Sequence, residues 1–292
     1  MSAMESQPSN VRRVTRLTRG VPTSDGAGVK LTRMLGNAAL PDLDPFLMLD
    51  QIRSDERDDY IAGFPNHPHR GFETVTIMID GKMRHGDNKG HSGVIEGGGV
   101  QWMTAGRGIV HSEIPEQENG RLWGFQLWVN LPAAYKMTEP RYQEFAAAEV
   151  PVEERDGATV RVLAGETGSG FTGPATSAAT KPLLLDVSLA PGARFEEAVP
   201  HGHTAFIAVF QGSVKTEAEA RGQVGDLEII DPHLAVFGDG DRVALVAGAN
   251  GARLLLIAGA PLNEPVAKYG PFVMTTEAEI RQAITDFQAG RF

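Results

Sequence analysis

The chain is 292 residues long, 41% hydrophobic and 22% charged, with 27 basic against 37 acidic residues and a formal net charge of −10. These proportions exclude a disordered, collagen-like or coiled-coil chain, and the acidic balance argues against nucleic acid or anionic lipid as the main partner. The absence of cysteine removes disulfides, thiolate nucleophiles, zinc ribbons and iron–sulfur clusters together.

The N-terminal stretch carries Arg12, Arg13, Arg16 and Arg19 but neither an apolar h-region nor a small-residue cleavage site. A cytoplasmic protein is therefore expected, with an arginine-rich organellar transit segment as the alternative. Together with Lys30 and Arg33 these arginines form the one basic concentration of the sequence, read as an edge strand guarded by charge, or else as a protein-binding surface. Beyond it, 34 glycines and 18 prolines punctuate the chain at the intervals of many short strands. Residues 74–79, 122–129 and 205–210 are β-branched or aromatic and of strand length. No apolar run approaches the ~20 residues of a membrane span, so a soluble chain with no membrane partner is expected.

His67-Pro68-His69 comes first among the chemically informative segments. In an extended segment residues i and i+2 share a face, and Pro68 restricts His67 to extended conformations, so two imidazoles stand side by side. His111-Ser112-Glu113 repeats the spacing with one imidazole and one carboxylate. Two such pairs on facing strands supply three neutral nitrogens and one oxygen, a donor set for a divalent first-row metal such as iron, nickel, manganese, copper or zinc. Glu73, Gln101 and Ser112 are candidates to accept the remaining imidazole N–H groups. Between the pairs, Gly97-Gly98-Gly99 lies between strands and opens no helix, which excludes a phosphate cradle.

A linker is expected near residue 145 and a mobile loop at 165–180, where periodicity fades. The second half then repeats the first faintly: His201-Gly202-His203 follows His67-Pro68-His69 at an offset of 134, and Gly238 follows Gly106 at 132. With Gly238 aligned to Gly106, Val243 and Leu245 stand where His111 and Glu113 would be, so the repeat has lost half its ligands. His201, His203 and His233 leave a second metal site open as an alternative to solvated histidines. Near the C-terminus, Thr276 and Glu279 form a capping box, and Ile280, Ala283, Ile284 and Phe287 follow at helical spacing until Gly290.

The run His67-Pro68-His69-Arg70-Gly71-Phe72-Glu73-Thr74, followed by Gln101-Trp102-Met103-Thr104-Ala105-Gly106-Arg107-Gly108-Ile109-Val110-His111-Ser112-Glu113, resembles the pirin family of the cupin superfamily. The resemblance extends upstream to Leu43-Asp44-Pro45-Phe46 and downstream to Tyr269-Gly270-Pro271-Phe272-Val273-Met274. It implies an all-β chain of two cupin (double-stranded β-helix, jelly-roll-like) barrels with a short C-terminal helix. Residues 1–145 would be the metal-binding domain and 146–292 a second cupin without metal. The ligands it implies are His67, His69, His111 and Glu113. Glu73 fits the general cupin first motif, but in pirins the carboxylate comes from the second motif.

Several pirins are similar in activity to quercetin 2,3-dioxygenases, so the resemblance implies a dioxygenase that opens the central ring of a flavonol with O2 and releases carbon monoxide. The ion would be Fe(II), with Ni, Mn, Cu or Zn as alternatives, and Glu113 would take the flavonol 3-hydroxyl proton. Phe64, Phe72 and Trp102 are candidate pocket-lining residues. A metal- or redox-responsive regulator acting through a protein partner is the second reading, and a sugar-isomerase-like or storage cupin the third.

Overall fold

A computed structural model describes residues 10–116, 120–177, 179–216 and 228–292; residues 1–9, part of the N-terminal stretch considered above, lie outside them. The chain divides into two units, neither continuous in sequence. One holds the described residues up to Arg19 with Pro151–Thr176 and Lys181–Pro261; the other holds Gly20–Val150, Ser177–Thr180 and Leu262–Phe292. Both are built from antiparallel strands in open sheets, whose hydrogen-bonded orders do not return to the first strand to close a barrel. No helix among the described residues is long and apolar enough to cross a membrane.

In the unit containing Gly20–Val150, a seven-stranded sheet runs in the order Arg141–Phe145, Val100–Thr104, Phe72–Asp80, Leu122–Asn130, Phe46–Ser54, Val29–Leu35, Val21–Asp25. A four-stranded sheet runs Phe64–His69, Ile109–Pro115, Lys82–Asp87, Ser92–Glu96. The two sheets meet through their apolar faces. Leu31, Ile52, Met78 and Leu122 from the first pack with Met83 and Ile95 from the second, the alternation that strand periodicity requires. Pro22 sits on the outermost strand, which is exposed along its length and where a missing N–H costs no ladder bond.

The helix forms as the spacing predicts, over Glu277–Gln288, with Thr276 and Glu279 closing the capping box. It buries Ile280 and Ala283 against Phe272, Met274 and Phe292.

The other unit centres on two long strands, Thr204–Thr216 and Arg242–Gly259, paired along most of their length. Bulges interrupt that pairing beside Gly212, whose positive φ and close approach to the Gly251 carbonyl leave no room for a Cβ. Arg242–Gly259 therefore pairs with Arg194–Ala198 in its first part and with Leu183–Leu189 in its last. Phe195, Ile207, Leu245, Leu254 and Leu256 fill the interior between.

The basic concentration is not a single surface. Arg12 is buried and donates to the carbonyls of Pro200, His203 and Gly238, whereas Arg16 and Arg19 are exposed on the edge strand Val14–Arg19. In the other unit Arg33 is committed to Asp50 and Asp25.

The described part of 165–180, read from its composition as a mobile loop, is tied down by polar contacts that composition does not reveal. Thr167 and Ser169 donate to Glu153, the Gly168 N–H donates to Glu197, and Arg155 pairs with both carboxylates. The Arg155 hydrogen bonds lead in holding Glu153 at about 2, below its usual 4.5, against the opposing effect of burial. A carboxylate depressed in the folded state stabilises above its unfolded pKa and loses that contribution as pH falls. Wild-type protein is therefore expected to melt above Glu153→Gln at pH 6, with the gap closing between pH 4.5 and about 2. A gap that stays constant over a pH-resolved melting series would contradict this.

Candidate metal centre

The four-stranded sheet brings the two histidine segments together. Phe64–His69 is a strand, and its antiparallel partner Ile109–Pro115 sets His111 directly opposite His67. His69 is two residues from His67 and on the same face, so three imidazoles converge from two strands. Nε2 of His67 and Nε2 of His69 are 3.0 Å apart, and ring centroids are separated by 4.4–4.9 Å. One nitrogen from each of the three lies within 4.8 Å of the others.

The chemistry of these nitrogens fits a metal ion. His67 Nδ1 lies 2.9 Å from the Pro65 carbonyl, an acceptor that places the proton on Nδ1 and leaves the Nε2 lone pair facing His69. His111 is 1% exposed, yet neither of its ring nitrogens has a hydrogen-bond partner among the described residues. Burying an imidazole with both nitrogens unpaired is costly, and a cation that accepts a lone pair removes the cost. Burial, then the neighbouring imidazoles, push His69 well below its usual 6.5 and His111 down to about 3. Both are neutral at physiological pH, as ligation requires.

Glu113 follows His111 at i+2 on the same strand, across a one-residue slip in the pairing with Phe64–His69. It is buried and lies outside the three-histidine cluster. Both of its oxygens are held: Oε1 accepts from Thr76 Oγ1 at 2.9 Å and Oε2 from Gln126 Nε2 at 2.8 Å. Thr76 and Gln126 come from the seven-stranded sheet, so these bonds span the two sheets.

Glu73 points elsewhere. Its carboxylate accepts from Thr104 and Ser177, and burial raises its pKa. Gln101 donates to Glu144, and Ser112 Oγ faces the Gly86 carbonyl, so these bonds do not run to the histidines.

The centre opens on a cavity of about 680 Å³, lined by His67, His69, Glu113, Thr76 and Gln126 at one end. Of the three aromatic residues proposed for the wall, Phe64 lines it; Phe72 is buried against His69 and Trp128, and Trp102 is buried in the core outside the lining set. Trp128 supplies the aromatic face that strand alternation alone did not single out. Lys268, Gly270 and Pro271 of the C-terminal stretch complete the wall. They reach it because the hairpin Ala267–Tyr269 with Phe272–Met274 is bonded to Arg70 through the Arg70 carbonyl and the Val273 N–H.

In the other unit, Val243 and Leu245 are buried in the apolar core. His201 faces Asp239, and His233 Nδ1 lies beside the Ile230 carbonyl. Among the described residues, His67, His69 and His111 are the group whose ligand atoms converge.

Residues 28–129 match the family model described as Pirin, and residues 184–292 match the one described as Pirin C-terminal cupin domain. The chain is 52% identical over 284 residues to a pirin-like protein of Caulobacter vibrioides, covering 97% of this chain and 99% of that one. It is 46% identical to a Pseudomonas aeruginosa protein provisionally named quercetin 2,3-dioxygenase, covering 96% and 97%. The crystal structure of a quercetin 2,3-dioxygenase from Acinetobacter baumannii superposes with a TM-score of 0.86 at 34% identity, covering 97% and 98%.

Proposed function

Because the chain belongs to the pirin family, we propose that it is a metal-dependent flavonol 2,3-dioxygenase, cleaving the central ring of a quercetin-like substrate with O2 and releasing carbon monoxide. The observation that carries this reading is the convergence of three imidazoles, those of His69 and His111 held neutral by burial, at one end of a largely apolar cavity, with a buried carboxylate among the lining residues of that end. His67, His69 and His111 would hold the ion, with Glu113 as fourth ligand. Fe(II) is the ion we propose, and the same donors accept nickel, manganese, copper or zinc. When bound, any of these ions would supply Lewis acidity toward a phenolic oxygen, and the redox-active ones, unlike zinc, would also supply the one-electron chemistry through which O2 reacts.

The protein's own residues account for the rest. Glu113 takes the proton of the flavonol 3-hydroxyl. Thr76 Oγ1 carries one hydrogen but lies 2.9 Å from Glu113 Oε1 and 2.8 Å from Gln126 Oε1. With Glu113 ionised, that hydrogen serves only one of the two contacts. Once Glu113 Oε1 is protonated it donates to Thr76, Thr76 donates to Gln126, and Gln126 donates to Glu113 Oε2, so the ring is complete and the proton is held in place. Leu47, Met48, Phe125 and Trp128 line the cavity around this end and exclude water from the reacting carbons.

The test is quercetin consumption by protein of known metal content, with flavonol absorbance and carbon monoxide followed together and an anaerobic control alongside. Oxygen-dependent loss with one carbon monoxide per flavonol is expected. Absence of turnover at a full complement of iron, nickel, manganese or copper would overturn the proposal.

A further inference from the structure

The seven-stranded sheet carries a polar row that starts at the Glu113 partners Thr76 and Gln126 and runs on to Asp50 and Arg33, which the metal centre does not use. Arg33 pairs across strands with Asp50, Asp50 with Gln126, and Gln126 with Thr76. Directly paired residues share a face, and all four line the cavity. With neighbouring strands ~4.8 Å apart, the row extends about 14 Å from Thr76, which bonds Glu113, to Arg33. That span is comparable with the long dimension of a three-ring flavonol, and Leu31, Leu47 and Ile52 line the cavity beside it.

The far end of the row has unspent hydrogen-bonding capacity. Arg33 donates from Nε and Nη2 to the two oxygens of Asp50 at 2.9 and 2.7 Å, and from Nη2 to Asp25 at 2.9 Å. Nη1 donates to no described residue. Asp50 is buried, while Asp25 is half exposed and, like Arg33, lines the cavity. The three side chains sum to one negative charge. Such a group repels a carboxylate or sulfate and suits a neutral group that both accepts and donates. A phenolic hydroxyl does both, accepting from Arg33 Nη1 and donating to the Asp25 carboxylate.

We infer that Arg33, oriented by Asp50 and assisted by Asp25, is the specificity-determining end of the cavity and selects flavonols that carry hydroxyl groups on the ring remote from the metal. The inference rests on the flavonol reading above and deepens it. A purely structural role for the Arg33–Asp50 pair would predict no dependence on those hydroxyls.

The experiment compares quercetin with 3-hydroxyflavone, which keeps the chelating oxygens and lacks every other hydroxyl, on the metal-loaded protein. Steady-state turnover gives kcat/KM, and quenching of tryptophan emission gives Kd. Wild-type protein is expected to favour quercetin at least ~10-fold, as one or two hydrogen bonds to charged groups provide. In Arg33→Lys, which keeps the charge but not the planar fork, that ratio should fall to within about threefold, mainly through KM. Asp25→Asn, at a more exposed position, should lower it in the same direction without disturbing the buried Asp50. Equal handling of the two flavonols by wild-type protein, or an unchanged ratio in both variants, would overturn the inference while leaving the dioxygenase reading intact. Failure of wild-type protein to bind or consume either flavonol would overturn the dioxygenase reading itself.

Discussion

His111→Ala is expected to lose its metal and every metal-dependent property while keeping its fold. On the proposed ligand set, removing one of three converging nitrogens would take a ligand from the ion, a greater loss than the 10–100-fold that follows removal of an outer hydrogen-bond partner alone. The fold should survive because two opposing costs nearly cancel. Truncation leaves a cavity costing ~2–4 kcal/mol, yet it also removes a buried imidazole whose two unpaired nitrogens cost ~1–3 kcal/mol each. Metal-free wild-type and variant proteins should then melt within a few degrees of each other. Added metal should raise the melting temperature of the wild type only, by the equivalent of ~2.7 kcal/mol at a hundred times Kd. Elemental analysis combined with melting curves decides it. A full metal complement in the variant would exclude the ligand set.

Gly71→Ala should be among the most destabilising single-methyl additions in the chain. Gly71 turns the backbone between the strand that carries His69 and the strand Phe72–Asp80, with φ at +88°. A Cβ there would lie 2.0 Å from the Val273 carbonyl oxygen. That oxygen cannot retreat freely, because it accepts from Lys136 Nζ at 3.0 Å while the Val273 N–H donates to the Arg70 carbonyl at 3.0 Å. The Gly71 N–H donates to Gly106, and Lys136 Nζ also donates to the Gly71 carbonyl. Left-handed backbone costs an alanine ~1–2 kcal/mol, and displacing this clamp should bring the total above ~4 kcal/mol. Gly28→Ala is the control, since Gly28 has φ at +106° but nothing within 4 Å of its Cβ position. Denaturant midpoints should fall sharply for Gly71→Ala and slightly for Gly28→Ala; equal falls would show that φ alone, and not the clamp, sets the cost.

Much of the site was readable because it is local. His67, His69 and His111 belong to i, i+2 patterns, and a strand's period of two dictates that such pairs share a face whatever the rest of the chain does. The helix was readable for the same reason, its capping box and apolar stripe all lying within fifteen residues.

The partners of Glu113 were not readable. Thr76 and Gln126 are 37 and 13 residues away and reach it across two sheets, and neither is an unusual residue in a strand. Arg33 looked like part of a basic surface until pairing with Asp50 turned it into the cavity wall. The three aromatics proposed for that wall illustrate the limit: alternation assigns each to a face, but which face meets a cavity and which a packed core depends on what lies opposite.

Composition, turn spacing and the two histidine motifs pointed to an all-β chain with a faint internal repeat and a converging imidazole cluster in its first half, and the resemblance to pirins implied the two cupin units. The strands and the imidazole cluster follow from strand periodicity and from residue chemistry, both of which act over a few residues. Assignment of residues 262–292 to the unit that begins at Gly20 belongs to the tertiary structure. So do the cross-sheet grip on Glu113, the polar row ending at Arg33 and the cavity itself. Each of them depends on strand order and register, which are set by hydrogen bonds and apolar packing between segments far apart in the chain and leave no periodic trace within any one of them.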